Sequence, residues 1–253
     1  MNEKIALITG ATAGIGYETA LLLAQNNYNL ILTGRRNDRL IALKHEIERL
    51  YQKEVLTLGF DIQDKNETET ILDSVPLEWQ AVDVLINNAG LAAGFDPIYS
   101  ADINDWEAMI NTNIKGLLYV TQKVAKWMIR HESGHIINLS SIAGKEPYPN
   151  GTVYCGTKSA VASISRAMRL DLLRYGIKVS SIAPGAVNTE FSTVRFHGDR
   201  QRAEKVYDGF IPLSGKDIAE TILFLLTRPK HVNIDDILIT PTAQGSARDF
   251  FRK

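Results

Sequence analysis

Ile5-Ala6-Leu7-Ile8-Thr9-Gly10-Ala11-Thr12-Ala13-Gly14-Ile15-Gly16 stands almost at the start of this chain: a short apolar run, then three glycines within seven positions. The run reads as a buried strand, and the glycines let the backbone turn sharply from it into a helix. A helix N-terminus offers free N–H groups and a partial positive charge, so the unit is a cradle for a pyrophosphate. Spacing alone is weak ground, because with 18 glycines in 253 residues about one chain in ten would carry it by chance. Its position at a strand-to-helix junction near the N-terminus makes Gly10, Thr12, Gly14, Ile15 and Gly16 candidate nucleotide-binding residues.

Outward from that loop the same rhythm repeats. Apolar runs at Ile5–Ile8, Leu30–Thr33, Val55–Leu58, Val82–Ile86, His135–Leu139, Val179–Ile182 and Ile237–Ile239 alternate with helical patterns near residues 15–25, 38–50, 65–73, 103–130, 153–174 and 216–226. Strands separated by helices pair in parallel through right-handed crossovers, and strands apolar throughout are covered on both faces. The expected fold is α/β: a Rossmann-type doubly wound sheet of about seven parallel strands with helices on both faces. No composition break or repeat divides residues 1–253, which read as one domain. Residues 186–213 break the rhythm and are expected to form a substrate lid above the carboxyl ends of the strands, with a charged and potentially helical centre from Gly198 to Gly209.

Composition narrows the class of function. A net charge of -1 gives no bulk electrostatic case for nucleic acid or an anionic membrane. The single cysteine, Cys155, permits no intrachain disulfide and no zinc cluster, so no metal is expected and a reducing cytoplasm fits. No stretch approaches the ~20 apolar residues of a membrane span, and no targeting signal is visible after Met1. Of the histidines, His131 and His135, on either side of Gly134, read as surface residues.

The second strand ends in Thr33-Gly34-Arg35-Arg36. In a dinucleotide fold an acid here holds a free ribose 2′-hydroxyl, whereas arginine accommodates a 2′-phosphate. Gly34 stands where the acid would be, and Arg35 and Arg36 follow, which favours NADP over NAD; Asp38 reads as a helix N-cap.

Two Tyr-x-x-x-Lys pairs occur, Tyr119/Lys123 and Tyr154/Lys158. The spacing puts a phenol and an ammonium one helical turn apart, and the cation is expected to lower the phenol pKa for proton transfer. About half a match is expected by chance, so context decides. Tyr154 opens the helix after the fifth strand, thirteen residues beyond Ser141, whereas Tyr119 lies inside a long helix where packing explains it.

Taken together, the chain resembles the short-chain dehydrogenase/reductase family over nearly its full length. The markers are Thr9-Gly10 through Gly16, Asp61, Asn87-Asn88-Ala89-Gly90, Asn113, Ser141, Tyr154-Lys158 and Pro184-Gly185, in that order. The resemblance implies a catalytic tetrad of Asn113, Ser141, Tyr154 and Lys158. Ser141 would hydrogen-bond the reacting oxygen, Lys158 would hold the nicotinamide ribose, and Asn113 would position a water linking Lys158 to solvent. It also implies Asp61 and Ile62 along the adenine, Asn88 near its ribose, and Pro184, Gly185, Val187 and Thr189 beside the nicotinamide. Bland readings stand beside these: Asn113 as a helix cap or kink, Ser140 in place of Ser141, Cys155 as a small packing residue.

Pro76-Leu77-Glu78-Trp79, Asn87 through Gly94, Asn188 through Asp199 and His231-Val232-Asn233-Ile234 look like the NADP-dependent 3-hydroxy acid dehydrogenases of that family. Those enzymes act on serine, allo-threonine, 3-hydroxypropionate and related acids, and are homotetramers. Arg195, in the lid, is the candidate clamp for the substrate carboxylate, against a surface pairing with Glu190 or Asp199. The competing enzyme is a 3-oxoacyl-[acyl-carrier-protein] reductase, which would use Arg195, Arg200, Arg202 and Lys205 as a docking patch. A non-catalytic NADP-binding sensor or scaffold would be expected to lack Tyr154 or Lys158. The tail from Gly245 to Lys253 reads as frayed or, given Phe250-Phe251, as docked on a neighbouring subunit.

Overall fold

Seven strands form one sheet in the computed structural model, which describes residues 3–253. They are β1 (Lys4–Thr9), β2 (Tyr28–Gly34), β3 (Val55–Gly59), β4 (Val82–Asn87), β5 (Gly134–Leu139), β6 (Ile177–Pro184) and β7 (Asp236–Ile239). The order is β3-β2-β1-β4-β5-β6-β7 and every neighbouring pair is parallel. The helices are α1 (Gly14–Gln25), α2 (Asn37–Tyr51), α3 (Lys65–Asp73), α4 (Ile103–Ile110), α5 (Leu117–His131), α6 (Thr152–Leu172), α7 (Phe191–Arg195), α8 (Arg200–Glu204) and α9 (Gly215–Leu226).

Successive residues of a strand face opposite sides of the sheet, and β1 shows what that does to an apolar run. Ala6 and Ile8 join a core that includes Leu23 of α1, Leu40 and Ile47 of α2, and Ile218 and Ile222 of α9. Ile5 and Leu7 join a second core with Leu72 of α3, Val120, Val124 and Trp127 of α5, and Leu172 of α6. Leu7, Ile8, Ile31 and Leu85 are fully buried, each stabilising the fold by about 1.5–3 kcal/mol. Among the described residues no helix is long and apolar enough to cross a membrane.

The elements follow the sequence pattern with four corrections. The helix expected over residues 103–130 is interrupted by a π-helical turn, Asn111–Gly116, between α4 and α5. Asp38 lies inside the first turn of α2, where Arg36 is the N-cap residue. His135 is no surface residue: it sits in β5, buried, with Nε2 2.8 Å from Ser180 Oγ of β6. The tail is not frayed, because Phe250 stacks on Phe210 at 4.8 Å and Lys253 N donates to Gly209 O at 2.8 Å, while Phe251 stays exposed.

Residues 186–213 form a loop closed at its own base. Asn188 N donates to Leu213 O at 2.8 Å and Leu213 N to Ala186 O at 2.9 Å. The loop carries α7 and α8, the latter within the charged Gly198–Gly209 centre, where Asp199 caps it by accepting from Arg202 N at 3.0 Å.

Candidate active site

The strand order reverses between β1 and β4, and the crevice beyond the carboxyl ends of such strands is where open α/β sheets bind ligands. A cleft of about 760 Å³ opens there. Asn88, just after β4, braces the turn after β1: its Nδ2 donates to Thr9 O at 2.8 Å and Gly10 O at 3.0 Å. Those donors are occupied, so Asn88 shapes the loop that the sequence reading placed a ribose beside. Gly16 is needed for the same close approach, since a Cβ there would lie 2.4 Å from Gly10 O. Helix α1 begins with no side-chain cap and no acid in its first turn, so its N–H groups and partial positive charge face the cleft unspent.

At the other end of this half, a Cβ on Gly34 would stand 2.9 Å from Thr12 Cγ2, which leaves no room for the acid that would hold a 2′-hydroxyl. Arg36 instead donates to Thr12 Oγ1 from Nε at 3.2 Å and Nη2 at 2.9 Å, and Arg35 Nη1 is 3.7 Å from Asp61 Oδ2. Glu190, from the 186–213 loop, accepts from Arg36 at 2.8 Å and Arg39 at 2.7 Å, and these contacts hold its carboxyl below the usual range. Two half-exposed arginines, an uncapped helix and a glycine in place of an acid fit a dinucleotide bearing a 2′-phosphate.

Of the residues singled out in sequence, Gly10, Thr12, Gly14, Ile15, Arg35, Arg36, Asp61, Ile62, Asn88, Ser141, Tyr154, Lys158, Pro184, Gly185, Val187, Thr189 and Arg195 all line the cleft, whereas Gly16 and Asn113 lie behind its wall. Asn113 is buried in the π turn. Its Oδ1 accepts from Leu91 N at 2.9 Å, and its Nδ2 donates to Leu91 O at 2.9 Å and Thr157 Oγ1 at 3.0 Å. It marks the helix irregularity and also ties that turn to the β4 loop and to α6.

Tyr154 and Lys158 are buried on one face of α6. Lys158 Nζ donates to Leu139 O at 2.9 Å and stands 6.0 Å from the Tyr154 ring centroid. Burial lowers Lys158 to about 8 and raises the Tyr154 phenol above its ordinary value. This departs from the expectation that the lysine lowers the tyrosine pKa: desolvation dominates, Tyr148 and Cys155 add to it, and Ser141 and Arg195 oppose it. Ser140 Oγ is spent on Lys158 O at 2.8 Å, whereas Ser141 Oγ lines the cleft with Tyr154, accepts from Ala143 N at 3.1 Å and pulls the phenol down. Ser141 is thus the serine that meets Tyr154. The rival pair is spent elsewhere, with Lys123 paired to Asp73 of α3. Cys155 packs with Ala92, Met109 and Ala143.

Above Tyr154 lies a cage that sequence spacing did not show. Arg195 Cζ is 4.9 Å from the Phe95 ring centroid, 5.5 Å from Tyr148 and 5.4 Å from Tyr154, and its Nη2 donates to Tyr148 OH at 2.9 Å. Gly94 N donates to Arg195 O at 3.0 Å and pins its backbone. Phe191 stacks on Tyr154 at 5.7 Å, and Arg248 of the tail lies over Phe95 and Tyr148. Of this cage, sequence singled out Arg195, while Phe191, one helical turn before it in α7, was passed over. Phe95, Tyr148 and Arg248 come from three separate loops with no pattern linking them. The surface pairings open to Arg195 are closed off, because Glu190 serves Arg36 and Arg39 while Asp199 caps α8.

The profile of the short chain dehydrogenase family matches residues 4–199, and the chain belongs to that family. Among its relatives, a Haemophilus influenzae protein named a probable NADP-dependent dehydrogenase is 48% identical over 98% of this chain and 97% of that protein. The NADP-dependent 3-hydroxy acid dehydrogenase of Schizosaccharomyces pombe is 43% identical over 100% of this chain and 98% of that protein. A solved closed form of serine dehydrogenase complexed with NADP+ superposes with a TM-score of 0.92 at 41% identity, covering 98% of this chain and 99% of that one.

Proposed function

We propose that this chain transfers a hydride between NADP and the 3-hydroxyl of a small 3-hydroxy acid of the serine, allo-threonine and 3-hydroxypropionate class. The observation that carries the reading is Arg195: a guanidinium lining the cleft, held by Tyr148 at 2.9 Å and free of every nearby carboxylate that could have claimed it. A cation so placed above Tyr154 suits a substrate whose carboxylate lies two carbons from the reacting alcohol carbon. The names of the relatives, 3-hydroxy acid dehydrogenase and serine dehydrogenase, support the same class.

In the direction of oxidation, the substrate hydroxyl gives its proton to the Tyr154 phenolate Oη while Ser141 Oγ hydrogen-bonds the same oxygen. Bound NADP+ supplies the hydride acceptor. Lys158 Nζ, beside the phenol, holds positive charge near the reacting pair, and Asn113 keeps the β4 loop and α6 in register behind it. Arg35 and Arg36 hold the 2′-phosphate, the start of α1 the pyrophosphate, and Asp61 and Ile62 border the adenine.

Exposed Leu118, Leu170 and Leu173 on and just beyond α5 and α6 offer apolar surface for assembly as a homotetramer, and a single buried thiol suits a reducing cytoplasm. Arg195→Ala is expected to raise KM about 10- to 100-fold for 3-hydroxy acids and far less for their neutral esters, as loss of a charge-assisted pair requires. Equal effects on acid and ester would remove the clamp.

A further inference from the structure

We propose that Arg195 is part of the proton-transfer machinery as well as the substrate clamp: its guanidinium, stacked on the ring of Tyr154, favours the phenolate, so the lid supplies a catalytic charge. The inference rests on Tyr154 as the proton carrier, and it assigns to Arg195 a task that does not require a carboxylate on the substrate.

Geometry makes the case. A cation over an aromatic face is attracted to its electron density, and that density rises when the phenol ionises. Arg195 Cζ is 5.4 Å from the Tyr154 ring centroid, closer than Lys158 Nζ at 6.0 Å, whose nearest hydrogen bond goes to Leu139 O. The guanidinium is fixed at both ends: Nη2 on Tyr148 OH at 2.9 Å, and the backbone carbonyl by Gly94 N at 3.0 Å. Its Nε is buried without a partner, so that edge of the group is withdrawn from the water that would screen it.

The other groups around Tyr154 do not replace it. On α6 these are Lys158 and Cys155; after β5 they are Ser141 and Tyr148; from α7 comes uncharged Phe191. Arg248 of the tail lies on Phe95 and Tyr148 instead. Asp96 and Asp105 reach the small cavity that Tyr154 and Arg195 also line and would oppose ionisation; Asp105 Oδ2 lies 3.1 Å from His197 Nε2. Burial pushes the phenol up, followed by Tyr148, and Arg195 is one of the two groups, with Ser141, that pull it down. An opposite charge at about 4–6 Å lowers a pKa by about 1–3 units.

The test is the pH dependence of kcat for oxidation, followed through NADPH absorbance with the methyl ester of a 3-hydroxy acid, which the clamp does not hold. Oxidation needs the phenolate, so kcat rises with pH through the apparent pKa of the site. In Arg195→Met that limb should move to higher pH by about one unit or more. Arg195→Lys, which keeps a charge, should lie between it and the wild type, and guanidinium ion added to Arg195→Ala should draw the limb back. A limb at the wild-type pH in both Met and Lys variants overturns the proposal. Where Arg195→Met does not fold, Arg195→Lys and Arg195→Gln, which keeps a polar side chain without the charge, carry the same comparison. The clamp is judged separately, by KM for acid against ester, so either role fails without the other.

Discussion

Tyr154 and Lys158 are both desolvated, and burial opposes the charge each would carry in the reaction. In the proposed reaction the surrounding residues offset that burial, since Ser141 and Arg195 both pull the phenol down. His135 shows the same physics with no catalytic task. Buried in β5 against Ser180, it is pushed down to about 3, first by desolvation and then by Lys178. Its folded pKa lies below the unfolded value of about 6.5, so as pH falls the unfolded chain takes up a proton that the folded chain refuses. Stability is therefore lost between about pH 6.5 and 3, by about 2 kcal/mol from this group at pH 5. In His135→Asn the loss of unfolding free energy between pH 7 and pH 5 should be smaller by about that amount, measured in urea. An unchanged pH slope would show that His135 titrates normally. At this scale the sequence displayed Ser141, Tyr154 and Lys158 plainly, because their order along the chain is specific. The burial of His135 was hidden by its neighbour Gly134, which reads as a loop residue but begins a strand.

At the scale of elements, the cofactor cleft is a meeting of pieces that are distant in sequence. Thr12 follows β1, Arg36 follows β2 and Glu190 opens the lid, yet one guanidinium joins all three. These pairs are half-exposed and add little to stability; their value lies in orienting Arg36 where a 2′-phosphate would bind. Arg36→Ala should raise KM for NADP about 10-fold or more and leave KM for NAD nearly unchanged, measured by initial rates with each cofactor. An equal rise for both would mean that Arg36 serves the loop and not the phosphate. The strands were legible to within a few residues because their apolar runs are unbroken. The π turn at Asn111–Gly116 was not, since periodicity survives one extra backbone residue; its reason is tertiary, with Asn113 reaching Leu91 and Thr157. The frayed reading of the tail failed for a related reason: Phe250 meets a partner, Phe210, forty residues back along its own chain.

For the molecule as a whole, one sheet with a core on each face places the reversal of strand order, the free end of α1 and the lid around a single cleft. The alternation of runs and helical patterns was enough to expect that sheet, and the family follows from it together with the site markers. The proposed substrate class was harder to read, because the proposal rests on a cage built from α7 and three loops that only the folded chain assembles. The rival reading of the lid as a docking patch for an acyl carrier loses Arg195, which faces inward. The central claim is therefore tested by a panel of substrates, serine, allo-threonine and 3-hydroxypropionate beside a 3-oxoacyl carrier protein, assayed for NADPH absorbance change with NADP and NAD cofactors in parallel. The account predicts turnover of the 3-hydroxy acids with NADP, and much weaker turnover with NAD. Turnover of the acyl carrier alone, or cofactor binding with no turnover of any hydroxy acid, would contradict it.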